Sequence, residues 1–204
     1  MVIGLLLMPS TAWAVHVFSA QAGIDLRTDK VARLETQVNG VSLMKFQVEM
    51  FQTASLKGDR VILINSNGGN EANGKVMINI IEAERSLGSR VICVVERRAH
   101  SMAFNLLTHC DVRLAVPGSL MIFHKIAAEF PCPDQYMGPR LTPKALRMEA
   151  DDIEASDEPY RHANAKALKM PLAEYDDNAE KETVWQVATL IRRGYLHGAA
   201  VLEK

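Results

Sequence analysis

The run Val61-Ile62-Leu63-Ile64-Asn65 is apolar up to its last residue and stops on Ser66-Asn67-Gly68-Gly69. A strand so composed has no face to give to water, so it belongs in a sheet covered on both sides. The spacing predicts a helix over 71–87, with Val76, Ile78, Ile80, Ile81 and Ala83 as apolar positions and Gly88 at its end. Val91-Ile92-Cys93-Val94-Val95 then reads as a second covered strand, followed by a loop over 96–100 and a helical stretch over 101–109. Upstream, 31–38 alternates as a strand and closes on Asn39-Gly40, and Ser42 is positioned to cap a helix reaching about residue 53. Leu43, Phe46, Val48, Met50 and Phe51 supply that helix's apolar positions. Short strands over 112–116 and 120–123 complete a strand-helix-strand-helix-strand order. Such an order implies right-handed crossovers, hence an α/β fold with repeated β-α-β units, a mostly parallel sheet and flanking helices.

The remaining third is more irregular. Residues 127–140 hold three prolines and a glycine and read as a loop. Thr142 then caps a helix with Pro143 in its first turn, and Pro159 is expected to break or kink it. Its acidic stretch, 149–158, reads as a solvated face. A last helix is expected over 182–193, ending at Gly194, with a short strand after it.

At 204 residues and 48% hydrophobic composition, one substantial core and one domain, 15–204, are expected. Residues 1–14 carry a short apolar run, Pro9 and the pattern Ala12-Trp13-Ala14, which reads as a signal peptide cut after Ala14. No Lys or Arg precedes that run, and a buried N-terminal strand is the alternative. With the signal, the protein is periplasmic or secreted; without it, cytoplasmic. No other stretch approaches the roughly 18 apolar residues of a membrane span. A net charge of -1 provides no global field for nucleic acid or an anionic membrane. Cys93, Cys110 and Cys132 lack metal-site spacing, so no metal is expected. In an oxidising compartment Cys110 and Cys132 are able to pair, leaving Cys93 a buried thiol; three free cysteines are the alternative.

Three features fall at the carboxyl ends of expected parallel strands, where open α/β sheets place ligand sites. Gly68-Gly69 allows a sharp turn and close approach of backbone amides to a ligand. Ser101 opens a helix, where dipole and free amides favour developing negative charge, although serine is also an ordinary helix cap. His124 follows the apolar run 120–123 and reaches the same edge if the two strands are neighbours; His100 and His109 compete with it as bases.

Together the ordered segments INSNGG (64–69), AHSMAFNLL (99–107), CDVRLAVPGS (110–119) and MIFHK (121–125) resemble the ClpP-type serine peptidases of the ClpP/crotonase fold. The separation of Ser101 and His124, 23 positions, is similar to that in the shorter, phage-associated members. The resemblance implies Ser101 as nucleophile, His124 as general base, and an oxyanion hole from the N–H of Met102 with one from Gly68 or Gly69, Gly69 preferred. Counting back from Gly194 puts the orienting acid at Glu182, with Asp176, Asp177 and Asn178 as rivals. It further implies a peptide or protein substrate, no cofactor and an acyl-enzyme.

The family assembles as stacked rings fed by cytosolic ATPases. An exported chain would meet no such ATPase, and its acidic helix lacks the continuous apolar face of a large ring contact; a homo-oligomer of open size stays possible. Asn67 stands in place of the family's turn proline, and Arg97, Arg98 and His100 replace small residues before the nucleophile. These bulky, basic neighbours narrow the site, select acidic substrates, or mark a binding protein that kept the fold without the activity. A crotonase-like enzyme acting on acyl-CoA is the further alternative.

Overall fold

The structure is a computed structural model describing residues 15–52, 58–127 and 142–204. In it the apolar run lies inside β4 (Arg60–Ser66), which is flanked by β3 (Val31–Leu34) and β5 (Val91–His100) in parallel. The seven-stranded sheet continues from β5 to β6 (Val112–Ala115) and β9 (Gly198–Ala199), while β7 (Leu120–Ile122) pairs with the far end of β5. Only β8 (Val184–Gln186), against β7, runs antiparallel. The mostly parallel α/β sheet expected from the alternating runs is therefore present.

Both faces of the central strands are covered, as their composition demands. Ile62, Ile64, Cys93 and Val95 face a core shared with the helices, while Val61, Leu63, Ile92 and Val94 face a second core. The second core is closed by an antiparallel sheet that sequence reading missed, ordered β10 (Val201–Glu203), β1 (Val15–Ser19), β2 (Ile24–Thr28). Val15, Val17 and Ile24 point from it onto the parallel sheet.

Helix α1 (Gly40–Gln52) is capped by Asn39, whose Oδ1 accepts from the N–H groups of Val41 and Ser42 at 3.0 and 2.9 Å. Ser42 Oγ instead accepts from Asn39 N, a reciprocal box. Ser42, Phe46 and Met50 face the core, so Val48 and Phe51 are exposed, contrary to expectation. Helix α2 (Glu71–Ser86) buries Ile78 and Ile81 together with Met77, and leaves Val76 exposed. Its Glu84 meets Arg60 in a buried ion pair, 2.7 Å.

Further corrections concern backbone that local patterns could not settle. Residues 96–100 are strand, not loop, because β7 offers them a ladder from Arg98↔Leu120 to His100↔Ile122. Helix α4 (Pro143–Ala167) runs through Pro159 without ending. The turn beyond the proline is docked by buried Tyr160 and by Asn164, whose amide donates to Asn105 Oδ1 and Tyr175 Oη at 2.7 and 3.2 Å. Burial and these bonds offset the one helical hydrogen bond a proline removes. The acidic stretch is largely solvated except Asp157, which is buried and accepts from Ile126 N.

Helix α5 (Leu172–Glu180) was not foreseen, and the helix expected over 182–193 is β8 followed by α6 (Val187–Arg192). Trp185 pairs with Met121 and buries its ring, which fixes 184–186 as strand. Cys93 is joined to Cys110, Cα atoms 5.9 Å apart, so the pairing of Cys110 with Cys132 does not occur. Cys93 lies in the middle of β5 and Cys110 just past the helix packed on it, α3 (Met102–Thr108). Residues 1–14, Cys132 and most of the 127–140 loop lie outside the described residues. Among the described residues no helix is long and apolar enough to cross a membrane, and no group of side chains is arranged to hold a metal ion.

Candidate active site

Strand β5 passes into α3 at Ser101, and the junction is sharp. Ser101 has φ 53° and ψ −124°, a left-handed conformation that costs a non-glycine residue about 1–3 kcal/mol unless its surroundings impose it. They do so here. Ser101 N donates to Ile122 O at 2.8 Å, prolonging the β5–β7 ladder, and Ser101 O accepts from Phe104 N and Asn105 N, starting α3. The side chain makes no capping hydrogen bond, so its hydroxyl is not consumed by the role that serine most often has at this position. A strained serine between strand and helix, with no hydrogen bond on its Oγ among the described residues, has the backbone arrangement of a nucleophile elbow.

The Gly68-Gly69 turn packs directly on this elbow. A Cβ on Gly68 would stand 2.6 Å from Ser101 Cβ and 2.9 Å from Met102 N. Gly68 has φ 83°, and its N–H donates to Ser66 Oγ at 3.1 Å, so that amide is already engaged. Gly68 O accepts from Val38 N at 2.8 Å, and Asn70 N donates to Val38 O at 2.8 Å. Since a trans peptide directs C=O and N–H oppositely, Gly69 N–H points away from Val38, toward the β5 side of β4. Gly69 N–H and Met102 N–H have no hydrogen-bond partner among the described residues. Gly69 itself is required: a Cβ there meets the Val38 backbone at 2.5 Å. Gly74, in α2, is needed too, because its Cα lies against the Met102 side chain. An isolated glycine within a helical pattern was the one sequence sign of that contact.

His124 stands two residues beyond Ile122, the residue level with His100. Phe123 anchors it, stacked on Tyr175 at 4.4 Å and 5.2 Å from Phe104 of α3. The same aromatic cluster thus fixes both the helix behind Ser101 and the segment bearing His124. No hydrogen bond joins Ser101 Oγ to His124 in this structure; His124 Nδ1 lies 2.6 Å from Lys125 O. A carbonyl only accepts, so Nδ1 carries the proton and Nε2 is left as the basic nitrogen. His109 is removed from the site by its 2.8 Å contact with Glu82. His100 is half-buried, its Nε2 enclosed without a partner among the described residues, and burial, then Arg98 and His124, hold its pKa below the ordinary histidine value.

Among the acids, Asp176 is held by Arg161 at 2.6 and 2.8 Å, and Asp177 by Lys181 at 2.6 Å. Asn178 donates to Glu174 O. Glu182 is exposed, in a turn at φ 49°. The β7–β8 register, Ile122↔Val184, continued by two positions sets Glu182 opposite His124, although no bond joins them.

No protein-family model matches the chain, and no curated protein matches it.

Proposed function

We propose that this protein is a serine peptidase of the ClpP kind, on the ClpP/crotonase fold, hydrolysing peptide bonds through an acyl-enzyme on Ser101. The reading rests above all on Ser101: its backbone is strained, its hydroxyl is unspent, and Gly68 is pressed against it beside the Met102 amide. His124 Nε2 takes the Ser101 proton as Oγ attacks the scissile carbonyl, and later gives it to the leaving amine. The oxyanion is received by Gly69 N–H and Met102 N–H, donors worth about 3–4 kcal/mol each in enzymes of this type. Glu182, in the turn that leads into β8, orients the imidazole. No step requires metal, cofactor or ATP. The Cys93–Cys110 disulfide supports an oxidising, exported setting, in agreement with a signal peptide over 1–14.

Catalysis requires His124 to turn from Lys125 O and reach Ser101, a tightening common on substrate binding. The missing Ser101–His124 bond favours one second reading, a non-catalytic binding protein of the same fold. A fluorophosphonate probe decides between them. Covalent labelling of Ser101, lost in Ser101→Ala and strongly slowed in His124→Ala, is expected; an unlabelled, folded protein would leave the binding reading.

A further inference from the structure

The last five residues of β5 before Ser101 include Glu96, Arg97, Arg98 and His100, which with Leu120 line a cleft of about 490 Å³. Ala99 alone of this stretch points into the core. The cleft's negative charge is already matched, since Lys204 Nζ lies 2.6 Å from Glu96 Oε1. Glu35, which borders two neighbouring depressions, one with Arg97 and one with Arg98, is paired with Lys45 at 3.3 Å. The two arginines have no such match. Arg98 donates to the neutral Asn67 Oδ1 at 3.2 Å, and Arg97 makes no ion pair among the described residues. His100, in the same wall, keeps its Nε2 buried with no hydrogen-bond partner among the described residues. Two guanidiniums that line one cleft without an ion-pair partner among the described residues make a site for an anionic group.

We infer that this cleft receives an acidic side chain of the peptide substrate, a carboxylate of Asp or Glu, close to the scissile bond. Arg98 and Arg97 are its specificity-determining residues. Arg98 has a second role in position alone: through Asn67 it is tied to the same turn that presents Gly68 to Ser101. Occupation of the cleft therefore bears on the elbow. The inference rests on the peptidase reading for its substrate, but its test does not depend on turnover.

Ser101→Ala protein is titrated, by fluorescence anisotropy, with end-blocked Ala-Gly octapeptides carrying one Glu, Gln or Lys at each position in turn. At one position Glu is expected to bind about tenfold tighter than Gln, the worth of one charge-assisted hydrogen bond, and Lys weakest. Arg98→Gln and Arg97→Gln erase most of that preference, and Arg147→Gln, on exposed α4, leaves it unchanged. Equal binding of Glu and Gln peptides, no binding of any peptide, a preference that survives the double Arg97→Gln/Arg98→Gln change, or one equally lost in Arg147→Gln overturns the inference. If Ser101 resists the fluorophosphonate while the Glu preference and its arginine dependence appear, the peptidase reading fails and the acidic-peptide cleft stands.

Discussion

Gly68 and Ser101 lie so close that a single added carbon on the glycine would stand 2.6 Å from the serine Cβ. Gly68→Ala is therefore expected to push the elbow aside as well as to strain a backbone at φ 83°. Fluorophosphonate labelling of Ser101 should slow by roughly 100-fold, the effect of about 1 Å of misplacement at a reacting group. A labelling rate within a factor of three of the parent in folded Gly68→Ala protein would contradict this packing.

The strain at Ser101 itself is measurable. Ser101→Gly removes it and should raise the free energy of unfolding by about 1 kcal/mol. Ser101→Ala keeps the strain and loses no cap, so it should change stability by about 0.5 kcal/mol or less. A helix cap would behave oppositely, with alanine costing about 1 kcal/mol. Urea unfolding of the two variants separates these outcomes.

Glu182 and Asp176 make a paired test of the third position of the proposed triad. Asp176 is engaged by Arg161, which holds its carboxyl below the usual carboxylate range. Asp176→Asn should leave Ser101 labelling unchanged while lowering stability. Glu182→Gln should slow labelling by at least about tenfold, since imidazolium would lose its counter-charge. Equal rates in parent and Glu182→Gln would remove Glu182 from the site.

Loss of the Cys93–Cys110 disulfide is expected to cost about 3 kcal/mol, the loop-closure value for a span of roughly this length. Chemical unfolding with and without reductant, and of the Cys93→Ala/Cys110→Ala protein, measures it. Cys132→Ala should leave stability in oxidising buffer unaffected.

His16 ties three strands of the antiparallel layer, with Nε2 2.8 Å from Asp25 and Nδ1 3.1 Å from Glu203. The hydrogen bond to Asp25, then that to Glu203, raise its pKa above the ordinary histidine value. A raised folded pKa means that the folded state holds the proton more tightly. The resulting stability is complete below the unfolded pKa, about 6.5, and is lost as pH rises through the folded value. Melting temperature should fall across that window, and the fall should be reduced in His16→Asn; identical pH profiles would refute the assignment.

The central β-α-β order was readable because each element announces itself locally: Val61 to Ile64 have no polar face, and Gly68-Gly69 ends their strand. What escaped depended on distant partners. Strand β1 pairs locally with β2, but it becomes the centre of a sheet only through β10 at the other end of the chain, Val17↔Leu202. Residues 184–186 are helical in pattern but are held as strand by Met121 and Ile122. At the site, Ser101, Gly69 and Met102 drew attention through their order in the sequence. The Arg98–Asn67 contact, the orphaned His100 Nε2 and the seat of Met102 on Gly74 did not, since each is made by residues far apart in sequence or by the absence of a partner.

The disulfide has one more consequence. Cys93 precedes Ser101 and Cys110 follows it, so the elbow sits inside a covalently closed ring formed by β5 from Cys93 onward, all of α3 and the sulfur bridge. A nick at any peptide bond between the two cysteines leaves the halves of the polypeptide attached. The segment bearing Ser101 is thus secured against release by the very kind of bond cleavage this protein is proposed to perform.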